Sequence, residues 1–80
     1  MNQVKVYVKV LAEIYEDGHL LPLSVIWEDG RKFDIDKTID IRRAQATKAG
    51  GTAIRYTVCI NGRQTFLFWD DGKWFVERNQ

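Results

Sequence analysis

The chain has 80 residues, with 12 Lys and Arg against 11 Asp and Glu and a net charge of +1. That length holds one domain, expected to span 1–80, and excludes two; the near-even charge excludes the strongly basic surface of a general nucleic-acid binder. One cysteine, Cys59, and one histidine, His19, leave no pair for an internal disulfide, no zinc cluster and no Ser–His couple elsewhere in the chain.

From Val4 to Ile14 the even positions are apolar, with Val4, Val6, Val8 and Val10 alternating with Lys5, Tyr7 and Lys9. That period predicts a strand with one buried face. It is long for so small a domain, so a bend or bulge is expected. Asp17-Gly18 follows, and a two-residue hairpin loop there would set Ile14 against Leu21, Ala12 against Leu23, Val10 against Val25 and Val8 against Trp27. In that register Pro22 points outward, where its missing N–H marks an edge or a local break.

Glu28-Asp29-Gly30 reads as a three-residue loop with a glycine bulge, pairing Val25 with Phe33 and Trp27 with Arg31. Phe33, Ile35, Ile39 and Ile41 continue the inward face, either as one bent strand or as two short ones. Arg42 to Thr52 has no period, and its alanines end at Gly50-Gly51, so a loop is expected, with or without one helical turn. Ile54 to Ile60 alternates again, and Asn61-Gly62 predicts a tight hairpin pairing Val58 with Thr65, Tyr56 with Leu67, Arg55 with Phe68 and Thr57 with Phe66. Trp69-Asp70-Asp71-Gly72-Lys73 echoes Trp27-Glu28-Asp29-Gly30-Arg31. By analogy it predicts a second three-residue loop, with a tryptophan facing a cation across each hairpin.

Chemistry is sparse. The acidic pairs Glu16-Asp17, Glu28-Asp29 and Asp70-Asp71 each sit at a hairpin tip, where turn geometry accounts for the aspartate. Cys59 lies on a strand opposite Gln64 with no base near it, and no glycine-rich loop opens a helix to cradle phosphate. No catalytic, cofactor-binding or metal-binding residue is therefore nominated. The one suggestive group is basic and aromatic: Arg42, Arg43, Lys48 and Arg55, with Phe66, Phe68 and Trp74 on the neighbouring strands. Cations beside aromatic rings on a curved sheet are how small barrels grip single strands, and exposed aromatics equally suit a protein partner.

The stretch from Trp27 to Arg78 resembles a family of small all-β bacterial proteins. The resemblance is carried by Trp27-Glu28-Asp29-Gly30-Arg31, Arg55-Tyr56-Thr57-Val58, Leu67-Phe68 and Asp71-Gly72-Lys73-Trp74-Phe75. It is also similar to the small domain encoded beside or fused to Y-family DNA-repair polymerases, with its Trp-x-Gly-Arg opening, Arg-Tyr-Tyr-like strand and closing Gly-x-Trp strand. The chain lacks that domain's Trp-rich centre and carries a Val-Lys strand in front. The resemblance implies a DNA-repair association and no catalytic residues.

The expectation is therefore an all-β domain, a single antiparallel meander forming an SH3-like or partly open barrel of five to seven strands. Its expected core is Val8, Val10, Ile14, Leu21, Leu23, Val25, Phe33, Ile35, Ile41, Tyr56, Val58, Leu67 and Phe75. In function it reads as a non-enzymatic binding module for a protein partner, or alternatively for single-stranded nucleic acid. Lys5, Lys9 and Glu13 break any secretory core, and no apolar run reaches the roughly 18 residues of a membrane helix. A cytoplasmic setting without a membrane partner or cofactor is expected.

Overall fold

The computed structural model describes residues 3–45 and 52–79. Those residues form seven strands: β1 (Gln3–Ile14), β2 (Leu20–Ile26), β3 (Lys32–Asp34), β4 (Lys37–Gln45), β5 (Thr52–Ile60), β6 (Arg63–Asp70) and β7 (Lys73–Asn79). The spatial order is β3-β2-β1-β7-β6-β5-β4, and every pairing is antiparallel. The sheet curls into a partly open barrel, and two long strand paths shape it.

β1 is shared between two ladders. Its first half, to Val8, pairs with β7, and its second half, from Lys9, pairs with β2. The alternating valines keep one face inward through the bend, which is why so long a strand fits so small a domain. β3 and β4 are the other path. Ile35 N–H donates to Leu23 on β2, and the next residue, Asp36, donates its N–H to Cys59 on β5. The chain thus passes its hydrogen bonds from one end of the sheet to the other within two consecutive residues. Among the described residues it has one strand neighbour on either side of that point, β2 before and β5 after.

The interior is lined by Val25, Tyr56, Val58 and Leu67, with Val8, Val10, Ile35, Ile54, Ile60, Trp69, Trp74 and Val76 packed around them. A second buried group, Ala53, Phe68 and Phe75, lies on the outward face of the same sheet. Phe68 and Phe75 face each other across β6 and β7 and stack with ring centroids 5.1 Å apart. Of the expected core, Ile14, Leu23 and Ile41 are instead exposed.

The turns depart from expectation in two places. The loop after β1 has three residues, because Tyr15 N–H donates to the His19 carbonyl and Gly18 N–H to the Tyr15 carbonyl. The same pair of bonds joins Trp27, Gly30 and Arg31, so Tyr15–His19 is the structural twin of Trp27–Arg31. Gly18 and Gly30 share φ = 91°, a conformation that disfavours any side chain. In both loops the middle aspartate accepts the N–H two residues on, to His19 and to Arg31. The extra residue displaces the register, and β2 restores it by a bulge: Leu11 faces Ser24 and Ala12 faces Pro22. Val10 therefore still meets Val25, while Pro22 is buried and Leu23 is turned out.

Asp71-Gly72 is a two-residue loop, not a three-residue one, with Asp70 facing Lys73 and Trp69 facing Trp74. Asp71 adopts φ = 51° and Gly72 φ = 82°, the pair of left-handed residues that tight hairpins require. The expected tryptophan–cation contacts across the hairpins are replaced: Arg31 lies over Phe33, Arg78 over Trp27 and Lys73 over Tyr7. The Asn61-Gly62 hairpin has the expected register throughout.

Candidate functional site

The described part of the expected basic loop, residues 42–45 and 52, is strand. β4 runs on through Arg42 and Arg43 to Gln45, because β5 supplies partners in Arg55, Ile54, Ala53 and Thr52. Lys48, and the question of a helical turn in the stretch after Gln45, lie outside the described residues.

Pairing register sorts the nominated residues onto two faces. Tyr7, Phe75, Phe68, Arg55 and Arg42 stand opposite one another in turn across five strands, forming one outward row. Val8, Trp74, Trp69, Ile54 and Arg43 form the corresponding inward row. Arg43 and Trp74 are thus separated by the sheet from Arg42, Arg55, Phe66 and Phe68. Trp74 is a packing residue, its ring centroid 5.2 Å from that of Tyr56. Phe68 is buried, leaving Phe66, 48% exposed, as the open ring among the nominated aromatics on the outward face, where Tyr7 is also exposed.

Arg55 lies over Phe66 at 4.5 Å, and its buried Nε has no hydrogen-bond partner. Arg42 is held by Asp40 through bonds of 2.6 and 3.3 Å. The Arg42 side chain keeps the Asp40 carboxyl below the usual carboxylate range, and Asp40 in return raises Arg42. Arg42 is therefore a partly neutralised cation. Asp17 and Asp29 are also lowered, first by the backbone N–H of His19 and of Arg31 and then by those residues' side chains. Each is engaged in its turn, and among the described residues no group of three or more His, Cys, Asp or Glu side chains is placed to hold a metal ion.

Two concave sites lie where, among the described residues, the β3–β4 path has a neighbour on one side only. Beside β4, a cavity of about 640 Å³ is lined by Ile14, His19, Leu20, Ile41, Ile54, Tyr56 and Trp69, and it is almost wholly apolar. Tyr56 crosses it, its hydroxyl donating to the Leu20 carbonyl at 2.7 Å. Beside β3, a cavity of about 720 Å³ has a floor that includes Val25, Phe33, Val58, Leu67 and Val76. Its rim carries Trp27, Arg31, Arg63 and Arg78.

Neither cavity was nominated from sequence. Their residues come from strands far apart in the chain, and the only local signal was the inward alternation that places Arg63 and Arg78 in phase with Leu67 and Val76. Comparison with models of protein families, with curated proteins and with solved structures finds no match. The class of protein is therefore defined by the fold alone: a seven-stranded antiparallel, partly open barrel with two different mouths. No helix among the described residues is long and apolar enough to cross a membrane.

Proposed function

We propose that the chain is a non-catalytic protein-interaction module that takes up an extended apolar segment of a partner along the free edge of β4. The observation that carries this reading is the edge itself. β4 has nine residues, is the last strand of the sheet and borders the apolar mouth. Among the described residues no strand pairs with that side of β4, and Ile39 and Ile41 are each 45% exposed. A strand added there would make main-chain bonds to β4 and place alternate side chains against Ile41, Ile54 and Trp69. The edge carries Lys37, Asp40, Arg42 and Arg43 beside the two isoleucines, so an apolar partner would engage it at Ile39 and Ile41. The setting consistent with this role is the cytoplasm.

The test is selection of peptides from a displayed random library against the full chain, followed by amide-shift mapping by NMR. Selected peptides should alternate apolar and polar residues and shift the amides of Ile39 to Arg43. Ile41→Lys should weaken them at least tenfold, and Phe66→Ala should leave them unchanged. No enrichment, or shifts confined to the outward face, overturns the reading.

A second reading, single-stranded nucleic acid on the outward face, is favoured by the Arg55–Phe66 contact beside Arg42. An exposed ring with a guanidinium over it is a stacking platform for a base. Fluorescence anisotropy with single-stranded oligonucleotides at two salt concentrations tests it. Binding that falls steeply with salt and is lost in Phe66→Ala supports it; no binding at tens of micromolar rejects it.

A further inference from the structure

The mouth beside β3 combines two features. Its floor is apolar and continuous with the barrel interior, and its rim carries three arginines, Arg31, Arg63 and Arg78, against one carboxylate, Glu77. Arg31 is already held by Asp29 at 2.7 Å. Arg63 and Arg78 enter no ion pair among the described residues. Arg78 is positioned by Trp27, whose ring lies 5.8 Å from its guanidinium carbon. Arg63 closes the β5–β6 hairpin directly opposite Ile60, on the inward face of the sheet.

We propose that this mouth binds an organic anion whose apolar, ring-sized body rests on the floor and whose phosphate or carboxylate is held by Arg63 and Arg78. The volume, about 720 Å³, lies within the range of small-molecule sites. An inorganic anion would satisfy the guanidiniums and leave Trp27, Phe33 and Val76, the accessible part of the apolar lining, in water. A neutral apolar body would cover that lining and strip water from Arg63 and Arg78, which have no carboxylate partner among the described residues. A molecule with both parts meets both demands. Guanidinium suits the anionic end because its planar fork matches two oxygens of a carboxylate or phosphate at once. Over an apolar floor the two charges act through a lower dielectric than at an open surface, which strengthens their hold.

Two sources share this chemistry, a mononucleotide and an aromatic carboxylate, and NMR titration of the full chain separates them. The probes are adenosine 5′-monophosphate and 1-naphthoate, with inorganic phosphate and adenosine as controls. At least one probe should bind saturably and shift the amides of Trp27, Arg63 to Thr65 and Val76 to Arg78. Each control should bind at least tenfold more weakly than that probe. Arg63→Ala with Arg78→Ala should weaken the probe at least tenfold while leaving the remaining amide spectrum folded. Should the pair not fold, Arg63→Gln alone should still weaken it at least threefold.

Naphthoate binding without nucleotide binding assigns the carboxylate source, and the converse assigns the nucleotide. Absence of saturable binding of either probe up to millimolar concentration overturns the proposal, as does a control that binds as well as its probe or affinity unmoved by the arginine substitutions. Because these shifts lie at the opposite mouth from Ile41, the outcome is independent of the peptide-binding test.

Discussion

The Tyr56 hydroxyl donates a 2.7 Å hydrogen bond to the Leu20 carbonyl, so one side chain ties β5 to β2 across the gap beside β4. These residues are 36 positions apart in the chain, and no ladder pairs their two strands. Tyr56→Phe should therefore destabilise the fold by about 1 kcal/mol, the ordinary net worth of such a bond. Urea unfolding checks it: the midpoint should fall while the slope stays constant.

Tyr56 carries a pH dependence as well. Burial raises its pKa above 10.0, because the phenolate is less well solvated inside the barrel. The bond's stabilisation is complete below the unfolded value near 10 and is lost as pH rises toward the folded one. Stability should fall as pH climbs above 10, and Tyr56→Phe should remove that part of the fall. Denaturation midpoints of both chains at pH 9 and 11 measure it.

Acid acts at the turns in the opposite sense. Asp17, Asp29 and Asp40 have pKa values below 3.8, the first two chiefly through a backbone N–H and the third through the Arg42 side chain. Their contributions are present above 3.8 and disappear as pH falls through the lowered values. Asp29→Asn should flatten the acid limb of a stability–pH curve and leave its neutral region nearly level, since the group is exposed. Carboxyl titration by NMR should show all three midpoints below those of an unfolded peptide.

Gly30 has no atom within 4 Å of the place a Cβ would occupy, so substitution there strains only the backbone. Gly30→Ala should cost about 1–2 kcal/mol, the penalty of a left-handed conformation. Gly30→Asn should cost less, because its short polar side chain tolerates that region. Gly18→Ala should behave alike if the two turns are the twins their hydrogen bonds indicate. Thermal unfolding of the variants compares them.

Phe75 is fully buried and stacks on Phe68 with the ring planes within 7°. Phe75→Ala should cost about 3–5 kcal/mol through lost burial and a cavity. A domain of this size has little more than that in reserve, so near-ultraviolet circular dichroism should show largely unfolded protein at 37 °C.

The sequence by itself determined the class of fold, most of the strands and the chemistry of each turn. Alternation from Val4 and from Ile54 is a period-two signal that needs no partner, and Asn61-Gly62 fixes the register of the β5–β6 hairpin through its backbone geometry. Tertiary structure decided what alternation cannot encode. The loops at Asp17-Gly18 and Asp71-Gly72 differ by one residue in a way that strand pairing, a bulge at Leu23 and the Trp69–Trp74 pair resolve. Arg42 and Arg43 read as loop because strand propensity is weak without the partner that Arg55 and Ile54 supply. Whether the chain around 36–41 formed one strand or two depended on Ile35 and Asp36, which hydrogen-bond to strands near opposite ends of the sheet. Both candidate mouths follow from that handover, because a strand that changes neighbours leaves a gap on each side of the barrel. Such a gap is a relation between distant strands, and no local pattern of residues records it.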